Sequence, residues 1–293
     1  MKKIYACVDT SAMTPSVCDG AAWLADKLEL PLVLLHTIEK PVTGSIDMSG
    51  SIGPEAGETL LQSLTEADAA HNKSAKEQSK RLLASLEQRL TGHHGTVTTL
   101  ERFGDINASL MEMRDTMRAY VMGRCGEDHL PKAQEIQKAH IPGSHIENAL
   151  RTIDRAMLLT IGEFKTPKSF LLAYDGREKA DQAIERLLET GLLSDCDCHV
   201  VSVANQQAAS QTKFSHAVAC LEGKFRSITP HFIASGNITS GSVAEVLLAR
   251  QLALDVDLTV MGAFAHSKVR QFFVGSNTLK LISGSKTPLL IIR

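Results

Sequence analysis

The chain has 293 residues and 43% of them are apolar, enough for one large domain or for two domains of about 150 residues each. The 31 basic and 33 acidic side chains nearly cancel, and one Trp and three Tyr offer little for base stacking, so the composition does not indicate a nucleic-acid-binding protein. No apolar run approaches the roughly 18 residues that span a bilayer, which excludes a membrane-spanning helix.

The first half of the sequence alternates between apolar, strand-like runs and helix-like segments. Lys2–Val8 is a predicted strand that ends at Asp9, and a predicted helix follows from Pro15 to about Glu29. The loop Pro41–Gly57 is rich in Gly, Ser and Pro, and a long helix runs from about Glu58 to Leu90. The other predicted strands are Pro31–His36, Thr96–Phe103, Ala119–Met122 and Ala156–Ile161, with further helices from Gly104 to about Arg114 and after Ser144.

The second half repeats this order. Ser169–Tyr174 is a predicted strand that ends at Asp175, just as the first strand ends at Asp9. The repeat of about 160 residues indicates a duplicated unit. The remaining predicted strands are Cys198–Val203, Thr229–Ala234, Leu258–Met261 and Pro288–Ile292, and the predicted helices are Glu178–Glu189, Gln207–Arg226, Gly241–Leu252 and Thr278–Gly284.

Alternating strands and helices predict an α/β fold made of two tandem Rossmann-like domains. Each domain is expected to contain a five-stranded parallel sheet with helices on both faces, because continuous apolar strands are typical of buried parallel sheets. Pro167 and neighbouring charged residues separate two strand-like runs near residues 162–168. The sequence therefore predicts a first domain at residues 1–164 and a second at 165–293.

The most informative segment is Leu258–Arg293, where a strand, a loop, a helix and a strand follow one another. The first strand stops at Gly262, and the loop ends in Gly275, Ser276 and Asn277 before the helix. The start of a helix presents unpaired N–H groups and the positive end of its dipole, which favours a phosphate. Glycine lets a ligand approach the backbone, and serine adds a hydroxyl donor. This segment is therefore a candidate phosphate-binding site.

The spacing of these residues resembles that of the universal stress protein family, whose phosphate motif is Gly, two residues, Gly, nine residues, Gly and then Ser or Thr. The second half reads Gly262, two residues, Ala265, nine residues and then Gly275-Ser276, with alanine at the second glycine position. The segment also lies between the fourth strand and the last helix of its half, as in the family. The chain thus resembles a tandem member with two such domains.

The first half carries a longer version of the same motif. It reads Gly123, two residues, Gly126 and then sixteen residues before Gly143-Ser144, a loop seven residues longer than in the family. The two motif glycines are both present. The resemblance therefore covers essentially the whole chain and is stronger in the second half.

The resemblance implies that ATP lies across the carboxyl ends of the strands. The acid after the first strand then lies near the ribose, a backbone position at the end of the second strand pairs with adenine, a Met-Gly pair closing the fourth strand lines the site, and the Gly-Ser segment donates to the phosphates. The implied nucleotide-binding residues are Asp175, Val203, Met261, Gly262, Ala265, Gly275, Ser276 and Asn277 in the second half, and Asp9, Thr37, Met122, Gly123, Gly126, Gly143 and Ser144 in the first.

We therefore expect a cytoplasmic stress-response protein that binds ATP, with or without Mg²⁺, chiefly in the second domain. Its output is expected to be signalling or sensory, because no residue stands out as a general base and slow ATP hydrolysis is the most the sequence suggests. The six scattered cysteines lack a framework spacing and fit reduced thiols in a cytosol. The resemblance also implies that Ala156–Ile161 pairs with Pro288–Ile292, and that the chain forms a homodimer.

One alternative remains open, a scaffold or small-ligand-binding protein that binds no nucleotide and acts through protein–protein contacts. Such a protein would use the long helix at residues 58–90 and the loop at 41–57. A metal site is not predicted, because Cys196, Cys198 and His199 lie close together on a strand and point to both faces.

Overall fold

The computed structural model describes residues 1–39, 54–125, 144–204, 206–234, 236, 242–262 and 276–293, and for residues 54–68, 71, 144 and 276 it describes the backbone. In chain order the elements are β1 (Lys3–Val8), α1 (Thr14–Leu28), β2 (Leu32–Ile38), α2 (Pro54–Arg89), β3 (Val97–Phe103), α3 (Ile106–Met113), β4 (Met117–Gly123), α4 (Ser144–Thr152), β5 (Ala156–Thr160), β6 (Ser169–Tyr174), α5 (Glu178–Thr190), β7 (Asp197–Ala204), α6 (Ala208–Leu221), β8 (Ser227–Ala234), α7 (Val243–Leu254), β9 (Leu258–Gly262), α8 (Ser276–Gly284) and β10 (Leu289–Ile292).

The strands form a single ten-stranded sheet in the order β3-β2-β1-β4-β5-β10-β9-β6-β7-β8. Outward from β5 the strand order of the first half is β5-β4-β1-β2-β3, and outward from β10 that of the second half is β10-β9-β6-β7-β8, so the two halves have the same arrangement. All neighbouring strands within each half are parallel. The predicted α/β fold, with its repeated order, is confirmed. The predicted boundary at residue 164 falls between β5 and β6 and stays a prediction.

The helices cover the sheet in two layers. Apolar residues of α1, α2, α5 and α6, such as Leu24 and Leu86, pack in one core, and residues of α3, α4, α7 and α8, such as Leu150 and Ile282, pack in the other. Each core extends through both halves, because burial of apolar surface on a shared sheet favours one continuous layer on each face. Within the described residues, no helix is both long and apolar enough to cross a membrane.

The two halves meet where β5 pairs with β10 in the antiparallel direction. Leu289 lies opposite Leu159, Leu290 opposite Leu158, and Ile291 opposite Met157. The side chains of all six of these residues are buried. The expected pairing of the last strands of the two halves is therefore confirmed, and it places apolar side chains of both halves in common cores.

Two arginines cross this boundary to the last helix of the opposite half. Arg124, just after β4, donates from Nη1 to the carbonyl oxygens of Ser285 at 2.7 Å and Ser283 at 3.4 Å, at the C-terminal end of α8. Arg293 donates to the carbonyl oxygen of Ile153 at 3.2 Å, just after α4. The last carbonyls of a helix lack partners within it and favour a nearby cation. The arginines therefore satisfy helix ends while joining the halves.

Some predicted boundaries were wrong. Helix α2 begins at Pro54 rather than Glu58, because proline is tolerated in the first turn of a helix, so the last four residues of the predicted loop are helical. Helix α6 ends at Leu221 rather than Arg226, and Gly223 follows it with φ of +71° in a turn. Helix α8 begins at Ser276 instead of Thr278.

Acid sensitivity is expected from one ion pair beside α3. The Arg114 guanidinium binds Asp154 through both carboxylate oxygens, at 2.7 and 2.6 Å, and lowers the pKa of Asp154 to about 2. Because the pKa is lower in the folded state, this pair stabilises the fold above the unfolded value near 4, and its contribution is lost as the pH falls from about 4 to about 2.

We expect Asp154→Asn to lower the free energy of unfolding at pH 7 by about 0.2–1 kcal/mol, since both side chains are nearly half exposed and the interaction is screened by solvent. Urea unfolding at pH 7 and at about pH 2 measures this, and the difference from the wild-type chain should shrink at the lower pH. An undiminished difference at the lower pH would contradict the electrostatic explanation.

Candidate functional site

A cavity of about 360 Å³ opens in the first half at the carboxyl ends of β1, β2 and β4. The order of the strands reverses between β1 and β4, and this switch point is where parallel α/β sheets bind ligands. The volume lies in the range of about 300–1,000 Å³ typical of small-molecule sites. Of the residues predicted for nucleotide binding, Asp9, Thr37, Met122 and Gly123 line this cavity.

Asp9 shapes the loop between β1 and α1 that forms one wall of the cavity. Its Oδ1 accepts from the N–H of Ser11 at 3.0 Å, from the hydroxyl of Ser11, and from the hydroxyl of Thr14 at 2.9 Å. A carboxylate that bonds the backbone two residues later fixes a tight turn. Asp9, which is predicted to lie near the ribose, therefore already uses one carboxylate oxygen in hydrogen bonds within its own loop.

The end of β2 supplies a second wall. The pairing of β2 with β1 ends at His36, opposite Val8, whereas Thr37 is paired with β3 on the other side. The Thr37 hydroxyl oxygen is buried and has no hydrogen-bond partner among the described residues. A buried polar group without a partner costs about 1–3 kcal/mol, which a ligand group could offset. Val203 occupies the same position on β7, one residue after the last pair with β6.

His36 joins this strand end to the long helix. Its Nδ1 lies 2.8 Å from the hydroxyl of Ser79 on α2, and Ser79 is buried. Ala75, Gln78, Ser79 and Leu82 line the cavity from one face of α2. They are separated by three, four and seven residues, the spacing of a single helix face, so the sequence itself places these four side chains together.

Gly123 has a packing role that the motif did not reveal. A Cβ added there would lie 2.7 Å from the Cβ of Met13, at the start of α1. In the second half, a Cβ on Gly262 would lie 3.3 Å from the carbonyl oxygen of Lys179 on α5. Both glycines thus let the first helix of their half approach the end of the fourth strand. The motif predicts that a ligand comes close to these glycines, but the atoms nearest to an added Cβ belong to the protein.

Residues that follow Gly123 were not predicted for the site. Arg124 and the half-buried Cys125 both line the cavity, and Arg124 Nε is buried without a hydrogen-bond partner among the described residues. His145 lines the cavity from α4, with Nε2 at 3.3 Å from Glu39 and Nδ1 at 3.7 Å from Asp105. The cue for Arg124 was its place next to a strand-ending glycine, and no pattern in the sequence marked His145.

In the second half, Asp175 and Met261 lie near the equivalent switch point. Asp175 follows β6, and Met261 pairs with Ala173 of that strand. Asp175 accepts from the N–H of Arg177 at 3.1 Å, and burial raises the pKa of this carboxyl above its usual value. Carboxyl groups with raised pKa values occur both at functional sites and at buried structural positions.

The structure describes some of the residues that the motif predicts to bind phosphate. Ser144 and Ser276 are the first residues of α4 and α8, and Asn277 is exposed in the first turn of α8. Gly126, Gly143, Ala265 and Gly275 lie outside the described residues. The assignment of a phosphate to these two helix starts therefore stays a prediction.

Comparison with known proteins places this architecture among related chains. Residues 167–293 match the model of the universal stress protein family. Over 299 aligned residues, covering 100% of both chains, the sequence is 26% identical to the universal stress protein Slr1230 of Synechocystis sp. (strain ATCC 27184 / PCC 6803 / Kazusa).

Several solved structures share the fold over nearly the whole chain, and two of them are universal stress proteins by name. A universal stress protein from Archaeoglobus fulgidus DSM 4304 superposes with a TM-score of 0.70 at 15% identity, covering 99% of this chain and 98% of that one. A putative universal stress protein from Pseudomonas aeruginosa UCBPP-PA14 gives 0.63 at 14% identity, covering 100% and 93%. At these identities the likeness concerns the arrangement of both halves and not their ligands.

Proposed function

Because residues 167–293 match the model of the universal stress protein family and the whole chain is 26% identical to a universal stress protein, we propose that it is a cytoplasmic stress-response protein that binds an adenine nucleotide and acts by signalling or sensing rather than by catalysis. The observation that carries the proposal is the first-half cavity at the switch point between β1 and β4. We also propose that the chain forms the homodimer expected from the resemblance, through which nucleotide binding is signalled to a partner.

The walls of the cavity suit the base and the sugar of a nucleotide. Apolar side chains of Val8, Ile38, Leu82 and Met122 line it and could bury the faces of a base. The unpartnered Thr37 hydroxyl could bond a base edge or a sugar, and Asp9 lies at the strand end expected for the ribose. The described residues therefore fit the base and the ribose of ATP, and we propose that its phosphates bind with Mg²⁺.

The second half is proposed to bind nucleotide in the same manner. Asp175, Val203, Met261 and Gly262 lie at the ends of its first, second and fourth strands, and α8 begins at Ser276. The sequence favours this half because its motif has the family spacing, whereas the cavity supports the first half. An experiment that reports each half separately is therefore needed.

The rate at which cysteine side chains are alkylated measures ligand binding to the first half separately. Cys125 lines the cavity and is half-buried, whereas Cys220 is exposed on α6 in the other half. Burial raises the pKa of the thiols of Cys7, Cys18, Cys196 and Cys198, which slows their reaction. We expect ATP with Mg²⁺ to slow the reaction of Cys125 with iodoacetamide at least tenfold at saturation, and to leave Cys220 unchanged.

Peptide mass spectrometry of the labelled chain measures both rates in one sample, so Cys220 is an internal control. ATP at 100 times its Kd should also add about 2.7 kcal/mol of stability in a thermal melt. A melt that shifts in the wild-type chain but not in Gly275→Asp, with Cys125 unprotected, would assign the nucleotide to the second half. No shift and no protection would contradict nucleotide binding altogether.

A different ligand class is the second candidate. About two turns of one face of α2, from Ala75 to Leu82, contribute to the cavity, and Ala75 and Leu82 add apolar side chains to those of the strand ends. This favours a small apolar ligand, with α2 as the element that transmits its presence. Protection of Cys125 by a hydrophobic fluorescent probe such as anilinonaphthalene sulfonate, but not by ATP, would support this candidate over the nucleotide.

A further inference from the structure

We propose that Arg124 binds the anionic group of the first-half ligand, and that the second half of the chain holds Arg124 in the orientation this requires. The inference rests on the proposed nucleotide function and names the residue that recognises the charged part of the ligand. Residues of the first half then line the cavity, while residues of the second half orient Arg124 within it.

The position of Arg124 gives the first argument. Its side chain lines the cavity, while Nη1 donates to the carbonyl oxygens of Ser285 at 2.7 Å and Ser283 at 3.4 Å. These carbonyls lie at the C-terminal end of α8, where helical partners are lacking. Nη1 donates to both carbonyl oxygens, and because its two N–H bonds lie in the guanidinium plane, these contacts fix the plane and hold the Nε donor in a set direction.

An unsatisfied donor gives the second argument. Arg124 Nε is buried and has no hydrogen-bond partner among the described residues. Leaving a charged donor buried and unpaired is costly, and an anionic oxygen is the partner that relieves it best. The Thr37 hydroxyl is a second unpartnered buried atom on the same cavity. The cavity therefore offers one neutral and one cationic group to a ligand that carries both kinds of polar atom.

The charge of the lining gives the third argument. Among the described lining residues, Arg124 is the one lysine or arginine side chain. Of the acids, Asp9 has one oxygen engaged by Ser11 and Thr14, and Glu39 lies 3.3 Å from His145. The positive end of the cavity is thus at Arg124, and a guanidinium binds phosphate or carboxylate oxygens in a paired geometry.

The test compares ATP with adenosine, which share the base and the sugar but differ in charge. For each, the concentration that half-protects Cys125 from iodoacetamide is measured in the intact chain with Mg²⁺ present. In Arg124→Met we expect this concentration to rise about ten- to a hundredfold for ATP and less than about threefold for adenosine, because a hydrogen bond to a charged group is lost. Arg124→Lys keeps the charge and should recover part of the ATP affinity.

Arg293→Met is the matched control. Arg293 also crosses to a helix end of the other half, at Ile153, but it does not line the cavity. It should leave the affinities of both ligands unchanged, and a thermal melt of each variant verifies folding. Equal weakening of ATP and adenosine in Arg124→Met, or none, would overturn the role of Arg124 while nucleotide binding stands. Absence of protection by either ligand in the wild-type chain would instead remove the nucleotide from the first half and, with it, this proposal; the thermal melt with ATP then decides whether the second half binds it.

Discussion

Leu158→Ala is expected to lower the free energy of unfolding by about 2–5 kcal/mol, the cost of removing a fully buried leucine side chain. Leu158 lies opposite Leu290 where β5 pairs with β10, and both side chains belong to the core layer that runs through the two halves. The loss should therefore appear in one shared unfolding transition. Urea unfolding followed by circular dichroism, with calorimetry to test for a single transition, measures it.

Leu252→Ala is the control for this prediction. Leu252 lies on α7 with 67% of its surface exposed, so its truncation should change stability by about 0.5 kcal/mol or less. Two separated transitions, of which the substitution at Leu158 shifts one alone, would show that the halves unfold independently despite their common sheet.

Gly123→Ala is expected to destabilise the chain by about 1–3 kcal/mol, because the new methyl group would lie 2.7 Å from the Cβ of Met13. Neither atom is at the end of a flexible side chain, so the start of α1 must move. This also displaces the loop that carries Asp9, one wall of the cavity. Thermal and urea unfolding measure the stability, and the reaction rate of Cys125 reports the change in the cavity.

Two glycines provide a graded comparison. A Cβ on Gly262 would approach the carbonyl oxygen of Lys179 at 3.3 Å, so Gly262→Ala should cost less than Gly123→Ala. Around Gly92 nothing lies within 4 Å of an added Cβ, and its alanine variant should be close to neutral or slightly stabilising. Equal effects at all three positions would contradict the steric explanation.

Much of the fold followed from apolar runs and from the internal repeat. Runs such as Pro31–His36 and Ser169–Tyr174 are too continuous for a half-exposed sheet, which predicts buried parallel strands. The acids after the first strand of each half, Asp9 and Asp175, fall at the strand ends where the sequence placed them. These features depend on local patterns, so the sequence alone could reveal them.

The rest depends on contacts between distant residues. The crossing of Arg124 to α8 joins positions more than 150 residues apart, and nothing near Arg124 in the sequence signals it. Gly123 was predicted to admit a ligand, yet the closest atoms to its added Cβ belong to Met13, since a motif cannot show which atoms approach. The Gly, Ser and Pro content of residues 41–57 predicts a loop that includes Pro54, whereas α2 begins at this proline, because proline also starts helices.

The joining of β5 to β10 has a consequence for the newly made chain. During synthesis, at about 5–20 residues per second, β5 leaves the ribosome long before β10 exists. For that interval Met157, Leu158 and Leu159 form the open edge of an unfinished sheet, the kind of edge that recruits other chains. Until its last strand emerges, the chain would therefore depend on molecular chaperones that shield the exposed edge of β5. A truncated product that stops before β10 would be prone to aggregate.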